Sequence, residues 1–260
     1  MPKNLALLLI LSLCSAGLLQ AQTPKVVASN PASSILKKNV KQMVRLPDSY
    51  AASQQKYPVL FFLQVTDEMV EEIAALTQTL HEENGTPEMI VVGINVEDRL
   101  EREMENAVYD KYLSYLEQEL IPSIEKKYRC NGQRVLHGRS LSGSFPLYAM
   151  LSKPTLFNGY IAASKEWYDK NNDFFTGLAN KALQSADKFK DRKIFLASLN
   201  GAYSNSNIPE VNENMTAFAS LLASKSGNKI ASKYQAFDDW GISPYPGFKE
   251  GLLFVAKGGK

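Results

Sequence analysis

Apolar residues along this chain fall into short continuous runs that alternate with stretches of helical spacing. Tyr57 to Val65 is apolar almost throughout, the pattern of a strand covered on both faces. Glu88 to Ile94 repeats it, and Val40 to Leu46, Arg134 to Gly138, Tyr160 to Ser164, Lys193 to Ser198 and Ile230 to Phe237 read as further strands. Between them lie helical periods. Met69, Ile73, Leu76 and Leu80 share one face over Asp67 to Leu80, and Tyr112, Leu116, Leu120 and Ile124 share one over Val108 to Tyr128. Helices are also expected over Ser140–Leu151, Phe174–Leu183, Val211–Leu222 and Phe248–Ala256. Strands and helices in alternation predict an α/β fold, a mostly parallel sheet with helices on both faces. Ligands of such sheets bind beyond the carboxyl ends of the strands. Functional residues are therefore expected in Gln64 to Asp67, Asn95 to Arg99, Gly138 to Ser142, Ser164 to Trp167, Leu199 to Tyr203 and Asp238 to Ser243.

The first residues follow another pattern. Lys3 precedes a dense apolar run from Leu5 to Leu13, then small residues at Ser15, Ala16 and Gly17. This reads as a secretory signal over residues 1–21, the run being too short for a stable membrane span. A lipoprotein reading on Cys14 is opposed by Leu13, where a small residue is usual. Residues 22–38 are polar and irregular and read as a linker or loose first segment, leaving 39–260 as the folded domain. The expected location is the periplasm or the exterior. Without Cys14 only Cys130 remains, which excludes an intramolecular disulfide and a cysteine metal cluster.

Composition narrows the function classes. The 260 residues are 45% hydrophobic and 22% charged, ordinary for a globular chain and unlike a disordered one. A formal charge of +2 gives no field for nucleic acid. Acidic runs such as Glu71-Glu72 read as solvated helix faces, and two histidines with one cysteine offer no metal spacing, so no metal or cofactor is expected.

The sharpest chemical signal is Val135-Leu136-His137-Gly138-Arg139-Ser140-Leu141-Ser142-Gly143. A strand running into Gly-x-Ser-x-small and then a helix is close to the nucleophile elbow, Gly-x-Ser-x-Gly. There a strained turn presents the serine hydroxyl, and the amide of the next residue, here Leu141, faces the developing oxyanion. Ser142 stands where the second glycine belongs. The plainer reading of the same residues is a serine helix cap with Gly138 packed closely beneath it.

The surroundings extend the signal. Arg45-Leu46-Pro47-Asp48-Ser49-Tyr50 with Lys56-Tyr57-Pro58-Val59-Leu60, then Met89 to Asn95 with Asp98-Arg99, resemble the putative esterase family of α/β-hydrolases, which includes esterase D and enterochelin esterases. Glu119-Leu120-Ile121-Pro122 leading through Arg134 into the elbow, and Pro154, Phe157 and Gly159 to Ser164 after it, continue the likeness over most of the chain. The resemblance implies an α/β-hydrolase fold and a serine esterase acting on small or peptide-linked esters, with Ser140 as nucleophile.

Against that expectation, several parts depart together. Chain order in this fold is serine, acid, histidine. Both histidines, His81 and His137, precede Ser140, and Trp240 occupies the stretch where the family's histidine would fall. Leu199-Asn200-Gly201-Ala202-Tyr203 holds no acid, and Gln64 or Val65 matches the family's oxyanion glycine. His137 on the incoming strand and Lys165 past a strand end are the alternative bases. Arg139 cannot be a base but can hold an anionic group. Trp167 and Trp240, with Tyr168 and Tyr245, are candidates to line a pocket, or simply to anchor loops. The reading is an exported family member, catalytically impaired or non-catalytic, that binds a small-molecule ester, another ligand or a partner in the strand-end cleft. The alternatives are an active serine carboxyl-ester hydrolase using Ser140 and an unconventional base, and a structural protein whose cleft Trp240 fills.

Overall fold

The computed structural model describes residues 26–63, 66–95, 106–139, 142–163, 167–199, 208–238 and 246–256. Its centre is the strand Tyr57–Leu63 (β5), buried at every position because helices cover both faces. Seven strands join it: Val27–Ser29 (β1), Gln42–Arg45 (β4), Ile90–Ile94 (β6), Cys130–Arg139 (β7), Gly159–Ala163 (β8), Arg192–Leu199 (β9) and Ile230–Phe237 (β10). Among the described residues the sheet order is β1-β4-β6-β5-β7-β8-β9-β10. β4 pairs antiparallel with β1 and β6, and every pairing from β6 to β10 is parallel.

Alternation along β5 builds two cores. Phe61 faces one side, with Val92, Leu136, Tyr160 and Leu196. That side is covered by helices Asn106–Tyr115 (α2), Ile121–Lys127 (α3), Phe145–Ser152 (α4), Trp167–Ala182 (α5) and Ile208–Lys225 (α6). Leu60 and Phe62 face the other side, under Asp67–Asn84 (α1) and Pro246–Ala256 (α7). α1 is delimited by its own sequence. The Met69 amide donates to the Thr66 hydroxyl at the start, and Gly85 at φ 67° closes the end. No helix among the described residues is long and apolar enough to cross a membrane.

Three sequence expectations change. The supposed linker 22–38 is, over its described part, tied down. β1 extends the sheet, and Ala32–Ser33 (β2) pairs with Lys38–Asn39 (β3). The loop between β2 and β3 donates to the Glu119 carboxylate from the Ser33 and Ser34 hydroxyls and the Ser34 and Ile35 amides. Strands of two or three residues carry no readable period, and their anchor lies 84 residues away from Ile35. The helix expected over Val108–Tyr128 is interrupted by a π turn at Leu116–Leu120. Pro122 supplies the reason: its ring opposes a regular turn against the carbonyl four residues earlier, and a widened turn relieves it. The helix expected from Ser140 begins at Phe145, with Pro146 in its first turn.

Candidate active site

β7 runs up the middle of the sheet, its residues His137, Gly138 and Arg139 beside Ile161, Ala162 and Ala163 of β8. The chain then has to reverse into α4 within a few residues. Gly138 makes that possible. A Cβ there would lie 2.2 Å from the Ser142 carbonyl oxygen and 2.9 Å from Pro146 Cδ. The outgoing backbone therefore crosses directly over the strand, the close approach that the first glycine of an elbow serves. Ser142, at the second glycine position, is fully buried, and its hydroxyl donates to the Arg139 carbonyl at 3.0 Å. The replacement for glycine is thus folded back into the turn as one of its hydrogen bonds.

The next residues are fastened to α2. The Ser144 and Tyr109 hydroxyls share a hydrogen bond of 2.6 Å, and Tyr109 meets Phe145 and Tyr148 edge-on. Burial pushes the Tyr109 phenol up, which its bond to Ser144 partly offsets. Tyr148 donates to Asp110 at 2.7 Å, and burial with that contact pushes its phenol up to about 12. Both phenols are neutral at ordinary pH. Their spacing in the sequence marks them as core, and nothing there signals that they brace the elbow.

His137 is 1% exposed. Its ring stacks on Phe62 at 4.1 Å, with Phe248 edge-on at 5.1 Å. Burial, reinforced by the Arg139 charge, holds its pKa well below the ordinary value, and Nδ1 has no hydrogen-bond partner among the described residues. It is a neutral ring inside the α1/α7 core. His81 occupies the last turns of α1, its Nδ1 donating to the Thr86 carbonyl at 2.6 Å. Fifteen residues past the cap, it lies about 20 Å along the helix from the carboxyl end of β5. His137 is thus held between aromatic rings in the core, and His81 is bound at the far end of α1.

Arg139 ends β7, half-buried. Trp167 opens α5. Ser140, Leu141, Lys165 and Trp240 lie outside the described residues, as do Gln64, Val65 and 200–207. Near the end of β9, the Ser198, Tyr234 and Asn212 side chains form a hydrogen-bonded chain across β9, β10 and α6. Ser198 and Tyr234 become neighbours only through the β9–β10 register, which pairs Leu196 with Tyr234 and Ser198 with Ala236.

Comparison with known proteins gives this arrangement a lineage. A family model described as putative esterase matches residues 33–237. Ferri-bacillibactin esterase BesA of Bacillus subtilis (strain 168) is 35% identical over 77 residues, which are 27% of this chain and 27% of that protein. The uncharacterized protein YbbA of the same organism is 25% identical over 142 residues, 48% of this chain and 56% of its own. The matches thus span about a quarter and just over half the length of these curated relatives. Among solved structures, an IroE-like serine hydrolase from Shewanella oneidensis has a TM-score of 0.73 at 24% identity, over 90% of this chain and 80% of that one. Siderophore hydrolase EstA from Aspergillus nidulans has a TM-score of 0.69 at 18% identity, over 90% and 94%. The structural likenesses establish an α/β-hydrolase fold, and with the family model running from Ser33 to Phe237 the chain belongs to the putative esterase family.

Proposed function

We propose that this esterase-family protein is exported, binds a small-molecule ester or a related ligand at the strand-end cleft, and turns it over slowly for want of a histidine base. The observation that carries the reading is the state of the two histidines. His137 is a neutral, stacked core residue, and His81 is committed to a backbone carbonyl near the far end of α1. A serine hydroxyl is a weak nucleophile until a base takes its proton. With Ser140 in place and the Leu141 amide facing the oxyanion, binding and oxyanion stabilisation alone leave a rate about 10³–10⁴ above water, far short of a complete triad. Arg139, half-buried at the strand end, suits an acidic group on the ligand. Trp167 and Trp240 would line the same cleft. The apolar run Leu5 to Leu13 supports export to the periplasm or beyond.

One observation favours a second reading, an active carboxyl-ester hydrolase with an unconventional base such as Lys165. The Gly138–Ser142 crossing is retained, and a binding protein has no need of that tight turn.

The test is labelling of the purified chain starting at Gln22 with a fluorophosphonate, alongside hydrolysis of p-nitrophenyl butyrate, with Ser140→Ala as control. The proposal expects at most slow labelling and hydrolysis within about tenfold of the control. Rapid labelling and fast turnover that vanish in Ser140→Ala establish the second reading instead.

A further inference from the structure

α5 does not end cleanly. The chain runs on into a tighter helical segment over Leu183–Phe189, and Ser185 leaves helical geometry there at φ −114° and ψ 55°. Between this bend and the end of α4 is a cavity of about 340 Å³. Leu151 and Pro154 on one side, and Leu178, Ala182 and Phe189 on the other, give it apolar walls. Its charged lining among the described residues is Lys181 and Lys188, with no carboxylate. Both lysines are exposed, and neither has a hydrogen bond, ion pair or ring contact among the described residues. Asp187, next to Lys188 in the sequence, pairs with Lys229 at 2.7 Å instead. Asp173 lies two helical turns before Lys181, about 12 Å back along α5. The carbonyl end of α4 opposes an anion with about half a charge, which two ammonium groups outweigh.

We propose that this cavity is a second ligand site that takes an amphipathic carboxylate, a medium-chain or aryl acid. The chain lies against the apolar walls, and the carboxylate is held at the rim by Lys181 and Lys188. The volume is within the range of small-molecule sites. Apolar walls favour burial of a hydrocarbon chain over a small hydrated ion. Two ammonium groups without partners favour one anionic group beside them, and they give up no existing bond to reach it. Lysine suits such a rim, because its stem can cover apolar surface while its head stays in water. The site is separate from the esterase cleft. Arg192 opens β9, and its Nε donates to the Pro154 carbonyl of the wall at 2.7 Å, so this wall stands at the amino end of the sheet. β9 spans eight residues, which puts the cavity roughly 20 Å from the carboxyl edge. A ligand here is not the ester under attack, and its binding does not need Ser140.

Isothermal titration of the purified chain starting at Gln22 tests this at low salt, with decanoate as the probe and acetate as its chainless counterpart. One-to-one saturable binding of decanoate is expected, at least about tenfold tighter than that of acetate. Combining Lys181→Gln with Lys188→Gln is expected to weaken it about tenfold, and added sodium chloride to weaken it as well. The double variant breaks no contact of the fold, so its circular dichroism and Tm should match the wild type. Ala182→Glu, which sets a carboxylate into the wall, is a second variant expected to abolish binding. Lys41→Gln, whose lysine pairs with Asp67, is expected to bind decanoate as the wild type does. Failure of decanoate to saturate in the millimolar range overturns the proposal. Wild-type affinity in the folded double variant also overturns it, by placing the acid elsewhere, as in the strand-end cleft. So does equal affinity for acetate, since the apolar walls would then contribute nothing, or an equal loss in Lys41→Gln.

Discussion

Gly138 and His137 are adjacent on β7 and constrained for opposite reasons. At Gly138 the limit is space. Its missing Cβ would sit 2.2 Å from a backbone oxygen, an atom that cannot swing aside as a side chain would. Gly138→Ala is therefore expected to destabilise by about 3 kcal/mol, measured by urea unfolding, because the turn must open. A loss under 1 kcal/mol, roughly one extra methyl tolerated, would mean that the crossing is loose. At His137 the limit is charge. Its folded pKa is depressed, so below its unfolded value of about 6.5 the unfolded chain binds a proton that the folded chain refuses. Stability from this residue is complete above pH 6.5 or so and is lost as pH falls, at up to about 1.4 kcal/mol per pH unit. His137→Leu should remove that slope whatever it does to stability at neutral pH. Paired unfolding curves between pH 7 and pH 5 that run parallel would contradict it. The motif Gly-Arg-Ser-Leu-Ser marked the turn in the sequence. The neutrality of His137 was not legible there, because it depends on Phe62 and Phe248, far away along the chain.

The elements that could be read from the sequence are those whose burial is strictly periodic. β5 is apolar on both faces and α1 on one, and each lies close to where its pattern puts it. The elements that escaped depend on distant partners. β1, β2 and β3 are short and mostly exposed, and Glu119 holds the loop between the last two. Burial tends to raise the Glu119 carboxyl, but its hydrogen bonds from Ser33, Ser34 and Ile35 outweigh this and hold it below the ordinary range. Glu119→Ala is expected to speed amide exchange at Ser34 and Ile35 by about tenfold or more, since each amide loses a charged acceptor. The same amides should loosen in the wild type as acid protonates the carboxyl. Unchanged exchange by mass spectrometry would show that the β2–β3 pairing holds the loop alone.

For the molecule as a whole, the two cores share one sheet. Residues of β5, β6, β8 and β9 contribute alternately to each, so neither side can lose its packing while the other keeps its strands in register. Far-ultraviolet and near-ultraviolet circular dichroism should therefore report one coincident thermal transition. Two separated steps would indicate that α1 and α7 detach as an independent unit. The architecture was legible because alternating burial survives in sequence. Of the candidate site, the turn at Gly138 was legible because it is local, whereas the surroundings of His137 come from separate elements. The Glu119 fastening has a further implication for how the protein is made. A ribosome delivers Ser33 to Ile35 more than eighty residues before the carboxylate that receives them. Until that carboxylate emerges, the segment Ser33 to Ile35 of a nascent chain lacks the acceptor that fastens it, and it stays open to whatever machinery handles polypeptides during synthesis.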